Sequence, residues 1–105
     1  MANTGNRLKP EEIREVAFGD ITASFVQMGA TFSGPLRTFY IENATDAIME
    51  FSIDGTKVNW KLSPGAFRLY DLKTNDTFLN TGQAVYVRYA AVPSEGYVIC
   101  EAATA

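Results

Sequence analysis

Short segments separated by turn-forming residues are the feature of this 105-residue sequence that most limits its fold. Turn signals recur about every ten residues, a spacing typical of sandwiches and barrels built from short strands. The segments between them are too short for most helices. We therefore predict an all-β antiparallel sandwich of about seven to eight short strands with little or no helix. The turn signals are Gly19-Asp20, Ser33-Gly34-Pro35, Asn43–Asp46, Asp54-Gly55, Ser63-Pro64-Gly65, Lys73–Asp76, Thr81-Gly82 and Pro93–Gly96.

One segment is a predicted β-hairpin, because apolar and polar residues alternate on both sides of Asp54-Gly55. If Asp54-Gly55 forms a two-residue turn, Phe51 lies opposite Val58 and Met49 lies opposite Trp60, so apolar residues meet on one face. The predicted core residues are Met49, Phe51, Val58, Trp60 and Leu69. The other predicted strands are Ile21–Met28, Leu36–Ile41, Ala66–Leu72, Thr77–Leu79, Gln83–Ala91 and Tyr97–Glu101.

The predicted organisation is a single sandwich domain over residues 10–101 with two loose ends. Met1–Lys9 has too little apolar content to offset its ordering entropy, so we expect a flexible N-terminal arm that orders on docking. Residues 102–105 are predicted to form a C-terminal tail. Pro10–Ala17 fits either a helical turn, since Pro10 suits a first helical position, or an extended strand.

The charge balance and the missing residue types exclude several functions. Nine Lys and Arg residues stand against twelve Asp and Glu residues, a formal net charge of −3, and histidine is absent. Ser/His or Cys/His catalysis and imidazole metal sites are thereby excluded. The mild acidity disfavours nucleic-acid binding, which depends on clustered cations. The single cysteine, Cys100, is predicted to be a small buried hydrophobe. We predict no enzyme activity, cofactor, metal, small-molecule substrate or direct nucleic-acid partner.

No stretch approaches the roughly 20 apolar residues of a membrane-spanning helix, and Met1–Lys9 lacks the apolar core of a secretory signal. We therefore expect a soluble chain with no membrane partner, made and folded in a cytoplasm.

A few residues suggest chemistry but favour a structural interpretation. Asp71 with Asn75 and Asp76 is the densest oxygen-rich patch, yet these residue types also bond their own backbone in turns. Asn43 and Asn75 begin glycosylation sequons, which carry weight only in a secreted protein. Trp60 lies on the inward face of the predicted hairpin, which favours a core residue over a sugar-stacking platform.

Several predicted strands carry apolar residues on both faces, whereas a two-layer sandwich buries only one face of each sheet. Scattered apolar residues are common on monomers, but this chain has little sequence left to cover a second face. We therefore expect another subunit to cover it. Aromatic rings suit such an interface because they provide large contact area at low entropy cost. The predicted contact residues are Leu36, Tyr40, Tyr86, Arg88 and Tyr97.

Five turn and strand motifs also support a resemblance. They are Ala17-Phe18-Gly19-Asp20-Ile21-Thr22, Asn43-Ala44-Thr45-Asp46, Phe51-Ser52-Ile53-Asp54-Gly55, Gly65-Ala66-Phe67-Arg68-Leu69-Tyr70-Asp71 and Val85-Tyr86-Val87. The pattern resembles small β-sandwich virion proteins of tailed bacteriophages over most of Ala17–Glu101. The resemblance implies a structural component made in many copies, such as a head-to-tail adaptor, a neck or tail ring subunit, or a capsid decoration protein. It implies no catalytic residue.

The resulting functional prediction is a non-enzymatic virion subunit, made and assembled in the bacterial host cytoplasm. Its expected partners are copies of itself and other virion structural proteins. The alternative is a β-sandwich module that binds carbohydrate or a host surface through exposed aromatic rings.

Overall fold

Two antiparallel sheets packed face to face form a β-sandwich in the computed structural model, which describes residues 9–71 and 82–104. The predicted all-β sandwich is thereby confirmed. The strands are β1 (Lys9–Pro10), β2 (Arg14–Ala17), β3 (Val26–Gln27), β4 (Leu36–Asn43), β5 (Met49–Ser52), β6 (Trp60–Leu62), β7 (Phe67–Asp71), β8 (Tyr86–Tyr89) and β9 (Tyr97–Thr104). A 3₁₀ turn, Phe18–Asp20, follows β2. Within the described ranges, no helix has the length and apolar character needed to cross a bilayer.

Sheet A has the strand order β1-β9-β4-β7, with β2 also paired to β9, and sheet B has the order β3-β8-β5-β6. The long strands β4 and β9 lie side by side at the centre of sheet A. Alternate residues of each strand point to opposite faces of a sheet. Phe39 and Ile41 of β4 and Val98 and Cys100 of β9 accordingly point inward, and all four are fully buried. The core lies between these residues and the inward face of sheet B.

A β-bulge near the start of β4 corrects one predicted contact residue. The register against β9 shifts between Leu36, which lies opposite Thr104, and Thr38, which lies opposite Ala103. Such a bulge changes the alternation of the strand. Leu36 and Phe39, three residues apart, therefore both face the core, and Leu36 is fully buried. The prediction that Leu36 contacts a partner is wrong.

The predicted hairpin exists, but its register is shifted by two residues. Phe51 lies opposite Trp60, and Met49 lies opposite Leu62. A shift of two residues keeps every side chain on its predicted face, since the side-chain period of a strand is two. Met49, Phe51 and Trp60 are buried, as predicted. Val58 lies in the connection between β5 and β6 with 43% of its surface exposed, so its assignment to the core is wrong.

Side-chain hydrogen bonds explain why this connection is longer than a two-residue turn. The Asp54 carboxylate accepts hydrogen bonds from the backbone N–H groups of Thr56 and Lys57, at 2.8 and 3.0 Å. The Asn59 side chain accepts the backbone N–H of Ile53 at 2.9 Å. Residues 53–59 thus form a loop closed by its own polar side chains, and strand pairing resumes only at Trp60.

The face of β7 that packs against the core is the opposite of the one predicted. Leu69 is 59% exposed, so its assignment to the core is wrong. Its neighbour Tyr70 faces inward, with its ring centroid 6.3 Å from both Phe39 and Trp60. The Trp60 indole N–H also donates a hydrogen bond to the Tyr70 hydroxyl at 3.0 Å. This contact fixes Tyr70 inside and turns Leu69 outward.

The segment Pro10–Ala17 is extended rather than helical, since β2 pairs with β9. Arg14 of β2 is buried and places its guanidinium 4.2 Å from the centre of the Phe32 ring. Its Nε donates to the Ala30 carbonyl oxygen at 2.9 Å. These contacts fix β2 in an extended conformation against the loop that precedes β4.

Strand β9 continues to Thr104, and residues 102–104 are buried. The predicted C-terminal tail beginning at residue 102 is therefore wrong. At the other end of the chain, Lys9 pairs with Thr104 in β1, so the predicted arm boundary lies one residue too late. Of the other predicted strands, Ile21–Met28 and Gln83–Ala91 contain only the shorter β3 and β8, and Thr77–Leu79 lies outside the described residues.

Candidate contact surface

A groove runs along the outer face of sheet A, across the middle of β4, β7 and β9, with a volume of about 490 Å³. Strand alternation places Tyr40 and Glu42 of β4 on this face, beside Tyr97, Ile99 and Glu101 of β9. We call it the sheet A groove. Its lining residues are Thr38, Phe39, Tyr40, Glu42, Leu69, Tyr97, Ile99, Glu101 and Ala102.

Large apolar side chains are exposed in and beside the sheet A groove. Phe67 is 55% exposed, Leu69 is 59% exposed and Tyr97 is 40% exposed. The Phe67 ring lies 5.6 Å from the half-buried Tyr40 ring, centroid to centroid. Single exposed apolar residues are ordinary on a monomer, but adjacent ones that form a patch indicate an interaction surface.

The charged groups that line the sheet A groove are acidic. Glu42 and Glu101 line it, and the lining residues include no lysine or arginine. The Tyr40 hydroxyl donates a hydrogen bond to the Glu42 carboxylate. This hydrogen bond, together with burial, raises the pKa of Tyr40 to about 12, so the phenol stays protonated and can keep donating. Glu101 lies directly opposite Tyr40 in the register of β4 and β9.

The outer face of sheet B differs, because its charges are paired with each other. Arg88 of β8 donates a hydrogen bond to Glu50 of β5 at 2.7 Å, and Lys61 of β6 lies 4.0 Å from the same carboxylate. The Arg88 guanidinium also lies 4.4 Å from the centre of the Phe25 ring. Tyr86 is half-buried on the same face.

The predicted contact residues therefore fall in three places. Tyr40 and Tyr97 come together in the sheet A groove. Tyr86 and Arg88 lie on the outer face of sheet B, and Arg88 already contacts Glu50 and Phe25. Leu36 lies in the core.

The sequence interpretation missed the β7 side of this surface. Phe67 was not singled out, and Leu69 was assigned to the core. A signal was present, because Phe67 and Leu69 alternate with Arg68 and Tyr70 and must share one face. Which face is buried depends on the contact between Tyr70 and Trp60, which joins different strands. Glu42 and Glu101 were missed as well, since a carboxylate on a strand is ordinary in a sequence.

Several residues of the sequence suggest chemistry, and the structure describes the surroundings of some of them. Cys100 is fully buried, and burial raises the pKa of its thiol to about 12. Asn43 is also fully buried, so its side chain is inaccessible to glycosylation in this fold. Asn75 and Asp76 lie outside the described residues. Among residues 9–71 and 82–104, no group of three or more Cys, Asp or Glu side chains is placed to hold a metal ion.

Comparison of the sequence with protein-family models gives no match, and neither the curated proteins nor the solved structures include a significant match.

Proposed function

We propose that this chain is a non-enzymatic structural subunit of a tailed-phage virion that acts by association. In this proposal the outer face of sheet A is the surface through which the subunit meets copies of itself or neighbouring virion proteins. The observation that carries the proposal is the exposure of Phe67, Leu69 and Tyr97 on one sheet face. Burying such side chains on association removes apolar surface from water and is favourable.

The contrast between the two faces of the sandwich supports this choice of surface. On sheet B, the Glu50 carboxylate already pairs with Arg88 and Lys61 of the same chain. On sheet A, the groove lining contains the carboxylates of Glu42 and Glu101 and no lysine or arginine. A partner therefore has both apolar area and negative charge to complement on sheet A.

The virion assignment rests on the resemblance of the turn and strand motifs to small β-sandwich virion proteins. The β-sandwich architecture agrees with that resemblance. In this proposal the partners are copies of the chain and other virion structural proteins, and assembly takes place in the bacterial host cytoplasm.

The test compares the self-association of the original chain with that of a variant in which two exposed apolar residues of sheet A are replaced by serine. We expect the double variant Phe67→Ser/Leu69→Ser to associate roughly tenfold more weakly than the original chain in sedimentation velocity over a concentration series. Both side chains are more than half exposed, so folding should change little. Val92→Ser is the control, since Val92 is 75% exposed but lies in the loop between β8 and β9 and is not among the lining residues of the groove. Equal association of all three proteins would contradict the proposal.

A second candidate function, binding of carbohydrate, has one observation in its favour. Tyr40, Tyr97 and Leu69 surround two carboxylates in a groove of about 490 Å³. Aromatic faces stack on sugars and carboxylates accept hydroxyl hydrogen bonds. A glycan array separates the two functions: saturable binding that is lost in Tyr97→Ala would favour the carbohydrate module over the assembly subunit.

A further inference from the structure

The lining of the sheet A groove combines apolar side chains with carboxylates and includes no cation, which defines the kind of segment that fits it. Its walls offer Tyr40, Leu69, Tyr97 and Ile99, and its lining polar groups include the carboxylates of Glu42 and Glu101. A complementary segment needs one or more cations beside apolar or flexible residues. An arginine suits the carboxylates best, because a guanidinium donates several hydrogen bonds in a planar fork.

The first ten residues of the chain have this chemistry. Residues 1–10 include Arg7 and Lys9 and no aspartate or glutamate. The remaining 95 residues carry seven Lys and Arg against twelve Asp and Glu, a net charge of −5. The start of the chain is therefore basic and the rest is acidic. Charge complementarity of this kind steers association and fixes its orientation.

The direction of β1 decides whose groove the segment reaches. Lys9 lies opposite Thr104 and Pro10 lies opposite Ala103, so the chain runs antiparallel to β9. From Pro10 to Lys9 the chain therefore runs toward Thr104 and away from Glu101 in the groove of its own subunit. The eight residues before β1 span roughly 26 Å when extended. A segment of that length can extend beyond its own subunit.

We propose that residues 1–8 of one copy occupy the sheet A groove of a second copy, with Arg7 against the carboxylates of Glu42 and Glu101. This inference rests on the proposed function and adds the identity of the occupant. The contact joins two different surfaces of the subunit, so it closes by reciprocal exchange between two copies or continues head to tail into a ring or filament. A face-to-face pair would also bring the groove carboxylates of two copies together.

The test uses charge reversals in the full-length chain, read by sedimentation velocity over a concentration series. We expect Arg7→Glu and Glu101→Lys each to weaken self-association about tenfold, which corresponds to about 1.4 kcal/mol. The matched controls are Lys57→Glu and Glu95→Lys, which make the same charge changes at exposed positions outside the groove lining. Circular dichroism of each variant checks that the fold is retained.

Mixing the two single variants tests whether the contact joins two copies. In a mixture, the glutamate introduced by Arg7→Glu meets the lysine introduced by Glu101→Lys on the other variant. The unchanged Arg7 of the second variant likewise meets the unchanged Glu101 of the first. We therefore expect association to return to near the original level. If the segment binds the groove of its own subunit, mixing restores nothing and the proposal is overturned.

Other outcomes separate this inference from the proposed function. If Arg7→Glu associates as strongly as Lys57→Glu while Phe67→Ser/Leu69→Ser is impaired, the contact surface stands and the basic segment is not its occupant. If the original chain stays monomeric at about 1 mM, where an interaction of about −4 kcal/mol is half-saturated, this inference and the self-association in the proposed function are both overturned, and only neighbouring virion proteins remain as partners.

Discussion

At the scale of single residues, a buried asparagine holds one corner of the sandwich together. The Asn43 side chain donates hydrogen bonds to the carbonyl oxygens of Ala47 and Leu62, at 2.8 and 2.9 Å. Its own oxygen accepts the backbone N–H of Thr45 at 3.0 Å. A buried amide is stable when its hydrogen bonds are made, and here they tie the end of β4 to the turn before β5 and to β6.

Gly96 packs against the same corner and gives the first residue-scale prediction. A Cβ at Gly96 would lie 2.1 Å from the Ala44 carbonyl oxygen, and its φ of +96° disfavours other residues. At Gly65 the φ is +83°, but nothing lies within 4 Å of the added Cβ. We expect Gly65→Ala to cost about 1–2 kcal/mol and Gly96→Ala about 3 kcal/mol or more in urea unfolding. Equal losses would show that Gly96 is not in close contact with Ala44.

Asp54 gives a prediction about pH. Hydrogen bonds from the backbone N–H groups of Lys57 and Thr56 lower the pKa of Asp54 to about 2. A carboxyl whose pKa is lower in the folded state stabilises the fold above its unfolded pKa, near 4, and this contribution is lost as the pH falls toward 2. The side-chain amide introduced by Asp54→Asn can still accept these hydrogen bonds through its oxygen but does not titrate.

We therefore expect the stability of the original chain to fall more steeply between pH 4 and pH 2 than that of Asp54→Asn, as measured by urea midpoints in a pH series. Glu12→Gln is a suitable control, since Glu12 is exposed and outside this loop. Parallel pH profiles for the original chain and Asp54→Asn would contradict the role given to Asp54.

At the scale of elements, the sequence pattern predicts which segments form strands. It does not predict the register of the hairpin, or which side chains of β4 and β7 face the core. Alternation identified β5 and β6 and the face that Met49, Phe51 and Trp60 share, because these depend on local sequence. The register depended on loop hydrogen bonds of Asp54 and Asn59, which a two-residue turn signal does not reveal. A shift by two residues preserves the faces, so Met49, Phe51 and Trp60 remained core residues despite the wrong register.

The hairpin register gives a direct test at this scale. In the observed register Trp60 is buried opposite Phe51, while Val58 is 43% exposed in the loop. We expect Trp60→Ala to lower the free energy of unfolding by about 3–5 kcal/mol and Val58→Ala by less than about 1 kcal/mol. In the predicted two-residue hairpin both side chains would be core residues. A loss of about 2 kcal/mol or more for Val58→Ala would favour that register.

Strands β4 and β7 show why the buried face of a strand cannot always be predicted from its own sequence. A bulge after Leu36 brings Leu36 and Phe39 to the same face, and nothing in the local alternation marks it. In β7, Tyr70 rather than Leu69 faces the core because Tyr70 contacts Trp60, which lies ten residues earlier in the sequence. In both strands, contacts with other elements determine which side chains face the core. The periodicity of a sequence shows only which residues of one strand share a face.

At the scale of the whole molecule, the two outer faces of the sandwich differ: Arg88 pairs with Glu50 on sheet B, whereas Phe67, Leu69 and Tyr97 are exposed on sheet A. The excess of apolar residues on both sides of the strands predicted that some face needs a partner, and the structure brings Tyr40 and Tyr97 together on one outer surface. Tyr86 and Arg88 belong to the other face, where Arg88 is paired with Glu50. The sequence could not separate the two faces, because the separation depends on which strands share a sheet.

The most direct test of the account is hydroxyl-radical footprinting of the original chain at low and high concentration, with oxidation read by mass spectrometry. The account predicts that oxidation of Phe67, Leu69 and Tyr97 falls severalfold when the protein associates, because the outer face of sheet A becomes covered. Val92, 75% exposed and outside sheet A, should remain equally oxidised. Unchanged oxidation of all four residues in the associated protein would contradict the central claim.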